Sequence, residues 1–339
     1  MTAPWDGQED QNLAQTLKKA KRKSLIRSIV ISLLVTLITL TAIFFGAAQL
    51  VAHRSAETKM SEWKYLMISS PNEYMSSYRD NRGFLSGVLE MNTYKIIEGV
   101  PVPWNEKWFN YNEWWFPFAT GAYGGTTNLQ ESAPPGNPDS QAFRRQYNPH
   151  NGQKEMAYYI PGVEYDSSIL NDLNLLTAME PDELAEMALS FDQPYSFEEV
   201  KRMLPKEARP VWYWVDTYDE SSGFYLKSHE GWDGVMISPQ PVSSSSGIYG
   251  FGTGHNDNGG EVSPVDFLGL LQSGLEHKDN YYSEYSRISR YLKKDKTEPD
   301  AADVRILGVV VTGSAAGLKS LNGQPYIRGA VLGAVADPY

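Results

Sequence analysis

Apolar and polar positions divide the chain into three textures, and the first is a long apolar run. Ser28 to Ala52 (SIVISLLVTLITLTAIFFGAAQLVA) is 25 residues without a charge. At about 1.5 Å rise per residue it can cross a hydrocarbon core of roughly 30 Å with some tilt, which predicts a membrane-spanning helix. The in-span Ser32, Thr36, Thr39 and Thr41 can return their hydroxyls to carbonyls one turn back. A buried core helix seldom stays uncharged all round for this length. A cleavable signal would have an apolar region of about 7 to 15 residues, and Ala47, Ala48 and Ala52 form no convincing cleavage site.

The second texture precedes the span. Residues 1–10 (MTAPWDGQED) read as disordered, and Gln11 to Arg27 reads as helix leading straight into the membrane. Leu13, Leu17 and Ala20 fall on one face at i, i+4 and i+7, opposite a lysine-rich face. That stripe reads either as part of an anchor whose cations meet anionic lipid headgroups, or as a helix presented to a cytoplasmic partner. Lys18, Lys19, Lys21, Arg22, Lys23 and Arg27 stand before the span, and only His53, Arg54, Lys59 and Lys64 follow it closely. The expected topology is single-pass with a cytoplasmic N-terminus, placing His53 to Tyr339 outside the membrane on the far side.

The third texture is that of a mixed globular region. Ser55 to Tyr65 can continue as a helical stalk, which Pro71 after Ile68-Ser-Ser ends. Gly87 to Ile97 reads as a strand and Gly99 to Trp104 as an extended strand edge. Trp104 to Tyr123 is dense in aromatics. Trp104, Trp108, Trp114 and Trp115 offer a platform for a stacking ligand or for lipid headgroups, or else the core of a small β-domain. Gly121 to Asn148 is a Gly- and Pro-rich loop, and 167–178 a short helix. A strand–helix–strand order follows at 184–191, 196–204 and 210–217, with Ser196 and Glu199 spaced as a capping box. The order recurs at 304–312, 314–321 and 326–335. Two such units, with apolar runs dense enough for burial on both faces, predict a split β-α-β sheet of the ferredoxin-like type. The segment 221–300 becomes a helical insertion, with helices at 264–275 and 281–294. The fold class is therefore α+β. The divisions are 1–27 tail, 28–52 span, 53–148 stalk and β-rich aromatic part, and 149–339 α/β part.

Charge and chemistry narrow the function. Residues 1–27 carry six basic and three acidic groups, which leaves 24 basic against 38 acidic for the remainder. That remainder would repel a nucleic-acid phosphate chain, so direct nucleic-acid binding is not expected. The chain has no cysteine, hence no disulfides and no thiolate sites. Its five histidines lack zinc-ligand spacing, and no nucleophile-elbow or S-x-x-K motif sits in a strand-to-helix context. The glycine-rich Gly247–Gly260 lacks the lysine and spacing of a phosphate loop. His255, Asp257, Asn258 and Glu261 match no calcium-ligand pattern, and a surface loop is the expected structure. Asp182, Glu183, Glu186, Glu198 and Glu199 read as solvated or capping acids. No enzyme activity and no cofactor are expected.

Several stretches together carry a resemblance. They are the basic tail and single span, Tyr94 to Trp104 (YKIIEGVPVPW), Ser190 to Val200 (SFDQPYSFEEV), Trp212 to Thr217 (WYWVDT), Gly308 to Gly313 (GVVVTG) and the ending Gly333 to Tyr339. The chain resembles the bacterial sigma factor regulators, which are membrane-bound anti-sigma factors with paired N-terminal and C-terminal regulator domains. The likeness covers roughly residues 24 to 339. It implies a protein that holds an extracytoplasmic-function sigma factor inactive at the membrane, with the exported part sensing or stabilising, and it brings no catalytic residues. A 27-residue tail could cover one groove of such a partner but not wrap it. Three readings follow: the sigma factor is held weakly, a second membrane protein helps, or the exported domain has another role. The alternative function is a cell-surface ligand-binding module built on the tryptophans, with no cytoplasmic sigma partner.

Overall fold

The computed structural model describes residues 7–112, 129–130, 144–166, 169–219, 221–231, 234, 236–244, 247–252 and 262–338. The segments expected as tail, span and stalk form one helix, α1 (Gly7–Ser69), of 63 residues and about 95 Å. No proline occurs between Pro4 and Pro71, so nothing interrupts the backbone ladder across those segments. Helix starts at Gly7, inside the stretch expected to be disordered, of which residues 1–6 lie outside the described residues. Thr39 and Thr41 donate to the carbonyls of Val35 and Leu37, both at 2.8 Å, as their position in an apolar helix requires. The helix stops before Pro71, where Asn72 takes a left-handed φ of 52°.

Three antiparallel strands follow as a meander: β1 (Glu73–Arg82), β2 (Ser86–Ile97) and β3 (Val100–Asn112). Glu98 and Gly99, both at positive φ, make the two-residue β2–β3 turn. The sequence pattern gives β2 and the start of β3 but not β1, and it ends β3 too early.

The C-terminal half is built on a five-stranded sheet of β4 (Leu184–Tyr195), β5 (Arg209–Val215), β6 (Gly250–Gly252), β7 (Ile306–Ser314) and β8 (Ile327–Ala336). Its order is β6-β5-β7-β4-β8, and every neighbouring pair is antiparallel. Helix α2 (Phe197–Met203) connects β4 to β5. Helices α3 (Pro264–His277) and α4 (Tyr282–Lys293) lie between β6 and β7. Helix α5 (Ala315–Leu318) and a 3-10 turn at Lys319–Leu321 connect β7 to β8. Both expected strand–helix–strand units are present, with β7 inserted between the two strands of the first. The expected helix at 167–178 is a 3-10 turn, Asp172–Thr177, capped by Asn171.

Alternation along the strands fills both sides of this sheet. Met187, Leu189, Phe191, Tyr213, Val309 and Val311 meet α2 to α5 and Ile68 of α1 on one side. Ala188, Trp212, Trp214, Val310 and Val331 meet Tyr158, Tyr159, Tyr218 and Ile248 on the other. The capping box forms: the Ser196 amide donates to Glu199 Oε2 at 2.8 Å and the Glu199 amide to Ser196 Oγ at 3.4 Å. Gly250 belongs to edge strand β6 and not to a free loop. A Cβ there would stand 1.9 Å from the Tyr213 carbonyl oxygen, so only glycine permits the pairing.

Candidate functional site

The residues expected to bind a partner lie on the first turns of α1. Leu13 is 64% and Leu17 56% exposed, and Ala20 is exposed beside them. Among the described residues nothing covers this stripe, and α1 remains exposed from Gln11 as far as Gly46. The helix is apolar enough over its middle to cross a membrane, and its most apolar window has no residue buried inside the protein.

The four tryptophans do not assemble as one platform. Trp104 is 3% exposed and packs with Ile97, Val102 and Ala334, and the Lys95 amine lies 4.1 Å from its ring centroid. Trp108 is 52% exposed and donates to Glu106 at 3.0 Å. A bulge in the β2–β3 pairing at Asn92/Tyr94 explains the split. It reverses the alternation along β3, so Val102 and Trp104 face inward before it and Phe109 and Tyr111 after it. Trp114 and Trp115 lie outside the described residues, as do His255, Asp257, Asn258 and Glu261.

A second set of groups lies where the last turns of α1 enter the folded half. Tyr65 stacks on Tyr281 at 3.6 Å between ring centroids and its hydroxyl meets that of Tyr249 at 3.2 Å. Tyr281 donates to Glu62 Oε2 at 2.5 Å. Burial lifts the Glu62 carboxyl to about 7, the Tyr281 hydrogen bond and Lys107 pulling against that and Asp279 adding to it. Nearer the membrane end, Ser55 donates to Asp80 at 2.6 Å, and Val51 packs on Leu89, Met91 and Tyr111. Thus α1 enters both sheets without a free linker.

The joint between the sheets centres on Glu186, which is fully buried on β4. This corrects its reading as a solvated acid: it sits in a strand with its side chain inward, not on an exposed face. Its carboxylate accepts from Lys95 of β2 at 2.7 Å, from Asn72 at the end of α1 at 2.8 Å and from the Ala334 amide of β8 at 3.3 Å. Three segments far apart in sequence thereby converge on one anion, and Lys95 neutralises it at 1% exposure. At the far end of the same joint Glu98 accepts from Arg209 at 3.0 Å and Thr312 at 2.5 Å. The one signal in the sequence is a glutamate inside the apolar run of β4 (LAEMALSF); its partner, 91 residues upstream, cannot be read from spacing.

These contacts tie α1 and the two sheets together. Among the described residues no group of three or more His, Asp and Glu could hold a metal ion. A cavity of about 600 Å³ opens between α1, the end of β3 and the α3–α4 turn, lined by Glu57, Ser61, Lys64, His277 and Lys278 among others. Within it Lys64 Nζ lies 3.3 Å from His277 Nδ1. Compared with known proteins, residues 14–102 match the family model described as sigma factor regulator N-terminal, and residues 176–334 the one described as sigma factor regulator C-terminal. Neither a curated protein nor a solved structure matches the chain.

Proposed function

The chain belongs to the bacterial sigma factor regulator family, and from that membership we propose a single-pass, membrane-anchored anti-sigma factor for an extracytoplasmic-function sigma factor. In this reading residues 1–27 are cytoplasmic, 28–52 hold the bilayer, and the two sheets lie outside. The basic cluster Lys18 to Arg27 supports the orientation, because cations are retained on the cytoplasmic side and bind its anionic lipids. The sheet order β5-β7-β4-β8, with its two strand–helix–strand units, supports a split β-α-β reading of the outer half.

The observation that carries the proposal is the bare stripe of Leu13, Leu17 and Ala20 at the start of a helix that runs unbroken into the folded half. An amphipathic helix of this kind docks in a partner's groove through apolar anchors at i and i+4 spacing, and its charges steer the approach. Each buried leucine contributes about 2 kcal/mol, so two contribute about 4 kcal/mol, close to a thousandfold in Kd. The stripe fills one groove, and a second membrane protein completes the hold where one groove is insufficient. The folded half sets the position of α1 through the Glu62–Tyr281 and Glu186–Lys95 contacts, which is where an outside signal would act.

Leu13→Glu with Leu17→Glu in the full-length protein tests this. Loss of sigma factor binding, with higher transcription from its promoters and normal membrane insertion, is the expected result. Unchanged promoters and undiminished sigma factor binding would refute it and favour a surface module with no cytoplasmic partner.

A further inference from the structure

The uncharged run of α1 extends to Ala52, yet one face of its last turns is covered by protein, while Ala48, Gln49 and Leu50 stay exposed. Ala47 is 7% and Val51 2% exposed, in contrast to the fully exposed stretch before them. Their cover includes the turn between β1 and β2: Phe44, Ala47, Ala48 and Val51 of the helix line one cavity of about 300 Å³ with Arg82, Gly83 and Phe84. The turn is closed by the Gly83 amide donating to the Ser86 carbonyl at 2.7 Å. Leu85 takes a left-handed φ of 57° and is 4% exposed, while Phe84 beside it stays 50% exposed.

The level of this turn follows from helix rise. Arg27 is the last charge before the run, and at 1.5 Å per residue a hydrocarbon core of about 30 Å is crossed by the neighbourhood of Ala47. The β1–β2 turn is packed against residues 44–51, which brackets the outer edge of that core and the headgroup layer next to it. An aromatic ring half out of the protein at this depth is placed as interfacial aromatics are, and the half-exposed Arg82 beside it can share its guanidinium with lipid phosphate.

We propose that the turn Arg82–Leu85 rests in the outer headgroup layer of the same bilayer that α1 crosses, with Phe84 at the headgroup–acyl boundary and Arg82 toward phosphate. The membrane span is then about 28–46, shorter than the uncharged run, and the Ala47 and Val51 face of 47–52 is turned to the protein. The β1–β2 hairpin and α1 form two points of contact with the membrane, which fixes the tilt of the N-terminal sheet on the bilayer surface. The inference rests on α1 being the membrane span.

The absence of cysteine allows single-site labelling. Phe84→Cys, Ile38→Cys and Val265→Cys, each in the full-length chain reconstituted in phosphatidylcholine–phosphatidylglycerol vesicles, receive a nitroxide. Collision with oxygen and with a water-soluble nickel chelate is then read by electron paramagnetic resonance. Val265 is 62% exposed and lines a cavity with Met67, about 24 Å beyond Val51 along the helix, and serves as the aqueous reference. The expected oxygen-to-nickel ratio is highest at 38, lower but clearly raised at 84, and lowest at 265. A label at 84 as accessible to nickel as that at 265, with 38 still in lipid, overturns the proposal and leaves the span intact. A label at 38 open to nickel removes the span and the proposal together. Arg82→Cys probes the same level if the Phe84 variant fails to fold.

Discussion

Replacing Lys95 by methionine removes the cation from the joint between the two sheets while keeping most of the side-chain volume. Glu186 then retains only the Asn72 amide and the Ala334 amide as donors, at 2.8 and 3.3 Å, and remains fully buried. Leaving one member of such a pair unneutralised costs about 3–5 kcal/mol. The thioether can still meet the Trp104 ring that the ammonium covers at 4.1 Å, so packing loss contributes little and the charge dominates. Against a typical total stability of 5–15 kcal/mol, the change removes a large share of what holds the fold. Urea unfolding of the full chain in mild detergent, followed by tryptophan fluorescence, should show the midpoint falling by roughly 2 M for a slope near 2 kcal/mol/M. Glu186→Gln in the Lys95→Met background neutralises the orphaned carboxylate and should restore most of the loss, so the two changes are strongly non-additive. A cost below about 1 kcal/mol for Lys95→Met, or a double variant no better than the sum of the singles, would mean that the sheets do not dock through this pair.

Trp214→Ala, at a fully buried position of β5, should cost about 3–5 kcal/mol, whereas Ser196→Ala should cost about 0.5–2 kcal/mol for one cap; equal losses in thermal melts would contradict the difference in their environments. Gly308→Ala would bring a Cβ to 2.2 Å from the Leu189 carbonyl oxygen in the β7–β4 pair, so overpacking of about 1–3 kcal/mol or more is expected, and an unchanged melting temperature would refute that close approach. Glu62 titrates near 7 in the fold against 4.5 when free, so the folded state binds the extra proton. Its contribution is fully present below about pH 4.5 and is lost as pH rises through about 7, on the order of 3 kcal/mol. Glu62→Gln should remove that slope from the pH dependence of unfolding, and an identical slope in the variant would exclude Glu62 as its source.

What was legible in the sequence follows how local its cause is. The long apolar helix needs only an uncharged run of sufficient length. The two strand–helix–strand units need only dense apolar runs, such as Ile306 to Val311, and a serine–glutamate cap three residues apart. Strand β1 (EYMSSYRDNR) carries no such mark, because beyond Tyr74 most of it is exposed on both faces and its pairing with β2 is what makes it a strand. The separation of Trp104 from Trp108 depends on a bulge whose position is set by strand register, not by residue type. The inward turn of Glu186 depends on Lys95 and Asn72, which only tertiary structure brings near. The exposed stripe Leu13, Leu17 and Ala20 was legible as one helix face, because helical periodicity alone defines it.

In the proposed reading the first turns of α1 hold a sigma factor while the same helix is anchored in the membrane. It is tested most directly by a photo-crosslinking amino acid placed at Leu17 of the full-length chain in its own cells. The account predicts a covalent adduct with a sigma factor, identified by mass spectrometry of the membrane fraction, and its loss when Leu13→Glu is added. Crosslinks to lipid alone, or an adduct with the sigma factor that persists undiminished in the Leu13→Glu variant, would contradict it.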